Sequence, residues 1–353
     1  MRLAFLLIVA FVAVASMYKP GPPAFSPNQA KGAWLAASGG TPLDGAAAVT
    51  ALIRLKELGA NTVALGPDVI QPRLDAPELE WGSHDASLRF VLRAARELGL
   101  RTFVMPRVES PDFFKPPFPW RGKMSFKDSK VRDAWYVNYR SMITHYGQLC
   151  REESASILGI GLEYRELAKA DPKEWRAVAR AAREAFGGPI TYSANWDDYD
   201  QVLWWDAVDV IGIGAYFEVL EDGLPDQTFV NTATLTPPTL RQVEKGWEPI
   251  RAKLRATSAA AGRPIWFTEV GFTTYADTNY YPWRWQAERK EDASQQALAY
   301  RALIRTFVSE PWWNGACFWR FYTRDAEMPD CRYRLTQESI WVLHDAWSRP
   351  SRG

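Results

Sequence analysis

Two glutamates follow short apolar segments at widely separated points in the chain. Glu163 directly follows the run Ile-Leu-Gly-Ile-Gly-Leu, and Glu269 directly follows Ile-Trp-Phe-Thr. Two carboxyl groups that face each other can divide acid, base and nucleophile roles, because their surroundings push the two pKa values apart. Hydrolysis of a glycosidic bond with retention uses such a pair about 5–5.5 Å apart. A single glutamate in this position is more often a salt-bridge partner or a helix cap. The hypothesis of glycosidic hydrolysis therefore rests on the two glutamates together.

A repeated pattern predicts the scaffold that positions these glutamates. A helical stretch ends at glycine, which suits the left-handed turn that closes a helix, and a short strand follows. The strands are apolar on both faces, as buried parallel strands are. Helices that alternate with such strands are typical of a parallel α/β fold. The pattern occurs at residues 52–65, 88–105, 175–192 and 250–267.

The number of strands decides between a barrel and an open sheet. Eight helix-separated units favour a closed barrel over a doubly wound sheet, and 353 residues leave room for one. We therefore predict an α/β fold of the (β/α)8 TIM-barrel type, which takes about 250 residues plus insertions. The candidate strands are Gly32–Ala36, Thr62–Leu65, Thr102–Met105, Ile157–Leu162, Ile190–Ser193, Val208–Ile213, Ile265–Thr268 and Ala316–Trp319.

Polar and aromatic residues occupy several predicted strand ends, where barrels of this type form their active sites. A tyrosine near a nucleophile can hold it by hydrogen bonding, and a tryptophan can stack under a sugar ring. Each residue also has an ordinary explanation in core packing or a turn. Glu166 competes with Glu163, but we expect it to begin the next helix, where an acidic residue favours the helix dipole. The residues at the ends are Trp34, Arg107, Asn195, Trp196, Tyr216 and Trp319.

The order of the strands and their terminal residues resembles the (β/α)8 glycosidases of clan A. It is most similar to glycoside hydrolase family 113, whose known members are β-1,4-mannanases. The resemblance runs roughly from Lys31 to Tyr322 and is most specific at Ile157–Glu163, Thr191–Trp196, Val210–Phe217 and Ile265–Phe272. It implies that Glu163 is the acid/base, that Glu269 is the nucleophile and that Tyr216 holds the nucleophile. It also implies that the sugar subsites are lined by Trp34, Asn195, Trp196 and Trp319.

Three departures from the clan pattern bear on the substrate more than on the fold. Leu162 stands directly before the first glutamate, where many clan A enzymes have an asparagine that bonds the sugar 2-OH. Arg107 stands where a lysine- or histidine-containing segment is expected. It either donates a hydrogen bond to the sugar or pairs with Glu109. Arg320 places a charge beside Trp319, which is expected to alter one subsite.

The composition argues against several other chemistries. The 42 basic and 41 acidic side chains nearly cancel, so there is no electrostatic basis for binding nucleic acid. Only three histidines are present, which disfavours a metal site of clustered imidazoles. Phosphate-binding, dinucleotide-binding and serine-nucleophile motifs do not occur. We therefore expect an oligo- or polysaccharide substrate, no metal or organic cofactor, no nucleic acid, and no implied protein partner.

The N-terminal sequence predicts export. Met1–Ala15 has a basic start, an unbroken apolar run and a small-residue cleavage site, which together read as a signal peptide. An uncleaved anchor is the alternative, so the protein would be secreted, periplasmic or membrane-anchored. Residues 16–30 are expected to form a Pro-rich linker, and residues 31–349 a single catalytic domain. Export permits a disulfide, and Cys317 and Cys331 could pair across a loop; two free buried thiols fit equally well.

Two classes of function remain open from the sequence. The first is a retaining hydrolase of β-linked polysaccharide, with endo-β-1,4-mannanase as the leading activity and another β-glycan as the runner-up substrate. The second is a barrel that binds glycan without cleaving it, within an exopolysaccharide or cell-envelope system. Intact carboxyl groups count against the second class, although a blocked cleft would suffice to prevent turnover. The loop Tyr280–Trp285 fits an outer subsite, a lid or a packed surface loop.

Overall fold

Eight parallel strands close into a barrel in the computed structural model, which describes residues 28–37, 43–117, 119–220, 236–284, 289–323 and 332–349. The strands are β1 (Ala30–Ala36), β2 (Thr62–Leu65), β4 (Arg101–Val104), β6 (Ile157–Leu162), β7 (Ile190–Asn195), β8 (Val210–Gly214), β9 (Ile265–Val270) and β10 (Trp313–Tyr322). They neighbour one another in that order, and β1 pairs with both β2 and β10, which closes the sheet. The predicted (β/α)8 fold is confirmed.

The described helices are amphipathic and pack around this barrel. In the second of them the buried residues are Leu88, Val91, Leu92 and Ala95, the spacing of a single helix face. Gly187 and Gly262 adopt left-handed conformations, with φ of 77° and 61°, and end two helices as predicted. The helices are α1 (Ala46–Glu57), α2 (Asp85–Glu97), α3 (Ser129–Glu152), α4 (Arg165–Ala170), α5 (Pro172–Phe186), α6 (Leu240–Ala261), α7 (Ala293–Phe307) and α8 (Gln337–Ser348).

A second, two-stranded parallel sheet lies beyond the ends of β2 and β4, and the sequence did not predict it. It consists of β3 (Asp68–Ile70) and β5 (Arg107–Glu109). Pro67 and Pro106 each precede one of these strands, and because proline has no N–H to donate, the barrel ladder stops there. Asp68 and Arg107 are register partners, so the small sheet places these two side chains next to each other.

The core between the barrel and its helices contains a large aromatic cluster. The ring of Trp175 stacks parallel to that of Trp204, with centroids 5.3 Å apart, and against Tyr164 at 5.6 Å. Tyr139 contacts the same indole edge-on, and its hydroxyl donates to the Ile160 carbonyl at 3.0 Å. These rings are fully buried. Core packing, and not contact with sugar, therefore accounts for much of the high tryptophan content.

Two sequence expectations concern the chain ends and the cysteines. Cys317 is a free thiol buried inside the barrel, which agrees with the alternative of free buried thiols and not with a disulfide to Cys331. A Cβ on Gly32 would lie 2.6 Å from its sulfur, which shows how tightly the thiol is packed. Residues 1–15 and Cys331 lie outside the described residues. Among the described helices, none is long and apolar enough to cross a membrane.

The aromatic cluster generates a stability prediction. Replacing Trp175 by Ala should lower the free energy of unfolding by about 3–5 kcal/mol, because it leaves a large cavity among close-packed rings. Replacing Trp341 by Ala is the matched control, since that side chain is 61% exposed and should change stability by about 0.5 kcal/mol or less. Chemical denaturation of both variants measures the difference. Equal effects would show that the cluster does not stabilise the fold.

Candidate active site

Glu163 is held over the barrel mouth by a turn at the end of β6. Its backbone is left-handed, with φ of 56°, which is uncommon for a residue with a side chain. Its N–H donates to the Ser193 carbonyl at 2.7 Å, so the chain leaves the sheet at this residue. A Cβ on Gly214 would lie 2.7 Å from Oε1 of Glu163. The carboxyl group of Glu163 therefore extends past β7 to the end of β8.

Glu269 reaches the same point from β9. Gly214 is the register partner of Glu269, and the Glu269 carbonyl accepts from the Ala215 N–H at 2.7 Å. The hydroxyl of Tyr216 donates to Oε1 of Glu269 at 2.5 Å. The structure thus brings Glu163, Glu269 and Tyr216 together around Gly214, where the absence of a side chain leaves room for a carboxyl group.

The two carboxyl groups have different electrostatic surroundings. Burial raises the pKa of Glu163 to about 8, the negative charge of Glu269 adds to the rise, and Arg121 opposes it. Burial also raises the pKa of Glu269, but the hydrogen bond from Tyr216 and three guanidinium groups oppose this rise. The three groups belong to Arg121, Arg107 and Arg320. A single negative charge in the mouth is therefore more stable on Glu269 than on Glu163.

Arg121 is a site residue that the sequence analysis missed. It lies on a short 3-10 helix between β5 and α3, where no strand end marks it as functional. Its guanidinium forms a salt bridge with Glu109 at 2.7 Å and acts on the pKa of both glutamates. The alternative that Arg107 pairs with Glu109 was wrong, because Arg107 pairs with Asp68 at 2.7 Å.

Trp34 and Trp319 lie together on one side of the glutamates. Their rings meet edge to face with centroids 5.7 Å apart, and the Trp34 indole N–H donates to the Thr268 carbonyl at 2.8 Å. Trp34 is only 2% exposed, so most of its ring belongs to the barrel interior. Trp319 is half-buried. With Arg107, these two rings line a cavity whose wall does not include either glutamate.

Asn195 and Trp196 occupy a different part of the mouth. The amide of Asn195 donates to a carboxylate oxygen of Asp197 at 2.8 Å, which orients it at the end of β7. Trp196 contacts Phe217 edge to face at 6.1 Å and lines a separate groove with Tyr199. The six predicted binding residues thus do not share one pocket, since Trp196 lies outside the cavity that contains Trp34 and Trp319.

The remaining candidates have surface or supporting positions. Glu166 lies in the first turn of α4, as expected, with its carboxylate 3.6 Å from the Lys169 ammonium. In the aromatic loop after β9, the indole N–H of Trp283 donates to Glu218 at 2.9 Å, which ties this loop to the segment after β8. Trp285 lies outside the described residues. Among the residues with described positions, no cluster of three His, Cys, Asp or Glu side chains could hold a metal ion.

Comparison with known proteins agrees with this architecture. The chain resembles the GH113 β-mannanase AaManA from Alicyclobacillus acidocaldarius in complex with ManMIm, with 21% identity over 92% of this chain and 99% of that chain, at a TM-score of 0.76. It resembles another GH113 β-1,4-mannanase with 20% identity over 91% of this chain and 100% of that one, at a TM-score of 0.75. A β-glucuronidase from Ruminococcus gnavus matches with 15% identity over 91% of this chain and 50% of its own length, at a TM-score of 0.60.

The family follows from sequence, not from these structural likenesses, which at such identities show the fold alone. A search of the curated proteins found no match. The sequence profile of Glycoside Hydrolase Family 113, in contrast, matches residues 33–335, which is most of the chain and nearly all of the barrel. The chain therefore belongs to glycoside hydrolase family 113 and is a (β/α)8 glycoside hydrolase.

Proposed function

We propose that this hydrolase cleaves β-linked polysaccharide with retention of configuration, with Glu269 as the nucleophile and Glu163 as the acid/base. The observation that supports the proposal most directly is that the carboxyl group of Glu163 approaches Gly214, the register partner of Glu269, and that the charge of Glu269 raises the pKa of Glu163. The hydrogen bond from Tyr216 to Glu269, at 2.5 Å, leaves the second carboxylate oxygen available for attack. Retaining glycosidases need two carboxyl groups placed on either side of one sugar ring.

The pKa differences support this division of roles. A general acid must carry its proton at the working pH, and burial raises the pKa of Glu163 to about 8. A nucleophile must be ionised, and Tyr216 and the three guanidinium groups stabilise the charge on Glu269. Since the repulsion between the two carboxyl groups contributes to the high pKa of Glu163, neutralising Glu269 would lower that pKa. The same residue can then act first as acid and next as base.

The reaction would proceed in two balanced steps. In the first, a carboxylate oxygen of Glu269 bonds to the anomeric carbon, the glycosidic carbon–oxygen bond breaks, and Glu163 gives its proton to the departing oxygen. In the second, Glu163 takes a proton from water while the water oxygen bonds to the anomeric carbon. As this bond forms, the ester bond between the anomeric carbon and Glu269 breaks, which restores the carboxylate of Glu269 and leaves the proton on Glu163. Two inversions at the same carbon give net retention.

β-1,4-Mannan is the leading substrate in this proposal, with endo action. Two of the structurally similar proteins carry the description β-mannanase or β-1,4-mannanase. Leu162 and Arg320 depart from the clan pattern, so another β-glycan is the second candidate. The export-like segment Met1–Ala15 supports action outside the cytoplasm, where polysaccharide substrates are found.

The first test is cleavage of a panel of mannan, glucomannan, cellulose, xylan and mixed-linkage glucan by the chain from Ser16 onward, without the predicted signal peptide. Release of reducing ends from mannan is expected, and Glu269→Ala should reduce it by several orders of magnitude because the nucleophile is lost. NMR of the first product should show the β-anomer. An inverted first product would contradict the mechanism. Binding without cleavage of any glycan would instead favour the non-catalytic barrel.

The second test separates Glu163 from its neighbour Glu166. Glu163→Ala should slow substrates with poor leaving groups most, because those depend on proton donation, and aryl glycosides with acidic leaving groups least. Glu166→Gln is the control, and its kcat/KM should stay within about threefold of the parent value, since its carboxylate lies at the surface beside Lys169. An equally large loss in Glu166→Gln would mean that the acid has been assigned to the wrong residue.

The third test uses stability instead of activity. The pKa of Glu163 lies near 8 in the folded protein and near its ordinary value of 4.5 when unfolded. Below the ordinary pKa both states hold the proton, whereas between 4.5 and 8 only the folded state does, so this group costs stability as pH rises. Glu163→Gln should therefore raise Tm by about 2 °C or more at pH 8 and by less at pH 5.

Glu166→Gln again serves as the control, because its side chain is 42% exposed. The Tm difference between this variant and the parent protein should be the same at both pH values. A Tm difference for Glu163→Gln that does not change between pH 5 and pH 8 would contradict the raised pKa of Glu163 and, with it, its role as the acid.

A further inference from the structure

A cavity of about 340 Å³ lies between the ends of β1, β2 and β10, the small β3–β5 sheet and the start of α2. Neither glutamate lines it, but Arg107 and Arg320 in its wall are close enough to Glu269 to oppose the rise in its pKa. Cavities of this size are at the lower end of the range for small-ligand sites. It is lined by Trp34, Gly66, Asp68, Arg107, Trp319 and Arg320 among others. The two indole rings could contact a sugar, but the charged residues distinguish this cavity from a site for a neutral one.

The arginines around this region differ in how their charges are balanced. Arg107 has Asp68 as its partner at 2.7 Å, and Arg121 has Glu109 at 2.7 Å. Arg320 forms no salt bridge with any residue in the described part of the chain. Two cations and one carboxylate therefore line the cavity, and the surplus charge belongs to Arg320.

Contacts with two aromatic rings orient the guanidinium of Arg320, and only one of its nitrogens donates a hydrogen bond to a described residue. Its Cζ lies 4.8 Å from the ring centroid of Trp319 and 4.7 Å from that of Tyr322. Its Nε–H donates to the Tyr322 hydroxyl at 2.5 Å. Within the described residues, the two terminal nitrogens have no recorded hydrogen-bond partner. The edge of the guanidinium that suits a carboxylate is therefore left for an occupant of the cavity.

A second donor in the same cavity lacks an acceptor. The Nε–H of Arg107 is buried and has no partner among the described residues, although its terminal nitrogen pairs with Asp68. Gly66 permits this arrangement, because a Cβ there would lie 2.8 Å from Arg107 Nε. Buried donors are nearly always satisfied, so an acceptor is expected in the cavity. An anionic oxygen would satisfy this donor and balance the charge of Arg320.

We propose that this cavity binds a carboxylate-bearing sugar unit of the substrate, with Arg320 as its principal partner, so that among β-glycans, mannans included, the enzyme prefers those that contain hexuronic acid. A uronate differs from a hexose by a planar carboxylate at C6, and the guanidinium fork matches that group with two parallel hydrogen bonds. This inference rests on the proposed function, since it assumes a glycan in the mouth, and it specifies the class of that glycan.

Arg320 has one other role to distinguish, because its charge also opposes the rise in the pKa of Glu269. A residue that acted only in this way would change kcat and the acidic limb of the pH profile on every substrate alike. A residue that binds a carboxylate changes affinity for acidic sugars selectively. That selectivity should weaken as salt screens the charge.

The test uses pairs of ligands that differ in a single group. Methyl β-D-mannosiduronate and methyl β-D-mannoside, and the corresponding gluco pair, are titrated into the full protein while tryptophan fluorescence is followed, since Trp34 and Trp319 line the cavity. We expect at least one uronate to bind tenfold or more tightly than its neutral partner at low ionic strength. The preference should fall severalfold in 0.5 M salt.

The variants identify the residue responsible. Arg320→Gln should reduce the preference to threefold or less, and Arg320→Lys should leave an intermediate preference because it keeps the charge but not the fork. Arg54→Gln is the matched control and should keep the full preference, because Arg54 lies over the ring of Phe321 outside the cavity. A graded loss of the preference, partial in Arg320→Lys and nearly complete in Arg320→Gln, is not expected from misfolding of one variant.

Three outcomes would overturn the inference. They are equal binding of uronate and neutral sugar by the parent protein, no binding of either uronate at 50 mM, and a preference that survives in Arg320→Gln. These outcomes leave the proposed function intact if the glycan panel is still cleaved in a manner that depends on Glu269. Loss of cleavage on the whole panel would count against the proposed function separately, whatever the ligand titrations show.

Discussion

Two carboxyl groups share one enclosed mouth, and their mutual repulsion is the constraint around which the site is organised. Both cannot be charged at low cost, because burial disfavours each anion and each disfavours the other. The hydrogen bond from Tyr216 and the nearby guanidinium groups stabilise the charge on Glu269, so the proton stays on Glu163. Two side chains of the same type thereby acquire different chemistry from their surroundings alone.

This asymmetry depends on charges that the barrel strands do not themselves carry. The β3–β5 sheet presents Asp68, Arg107 and Glu109, and the two carboxylates hold Arg107 and Arg121 in place. Since each of these cations is already paired, its position is set before a substrate arrives. A preorganised field of this kind needs no rearrangement when charge moves during a reaction. The small sheet therefore both forms a wall of the site and fixes the positions of charges that act on the glutamates.

The parts of this structure that could be predicted from sequence are those that depend on local signals. Apolar strands and helix-ending glycines such as Gly187 are visible within a few residues, and they gave the barrel and the strand ends that carry Glu163 and Glu269. The β3–β5 sheet escaped prediction because its strands have three residues each and are partly polar. Arg121 was not predicted because it lies on a short 3-10 helix and not at a strand end. Its closeness to the glutamates depends on the tertiary structure, which no local sequence pattern indicates. Whether Trp196 shares a pocket with the other aromatic residues likewise depends on side-chain direction.

The core of this protein and its barrel mouth are subject to different physical constraints, so a chain with the fold of these mannanases at about one-fifth identity can change residues in the mouth without changing the fold. The rings around Trp175 are fully buried and close-packed, so a substitution there disturbs the surrounding core. In the mouth, the balance between positive and negative side chains matters more than close packing. Arg320 adds a positive charge there, and its ring contacts are with Trp319 and Tyr322, outside the cluster around Trp175. A single exchange at a strand end can thus alter the ionic character of a subsite while the barrel and the glutamate pair remain as they are. Specificity in this chain is accordingly expected to reside in strand-end residues such as Arg320, which carry charge without filling the core.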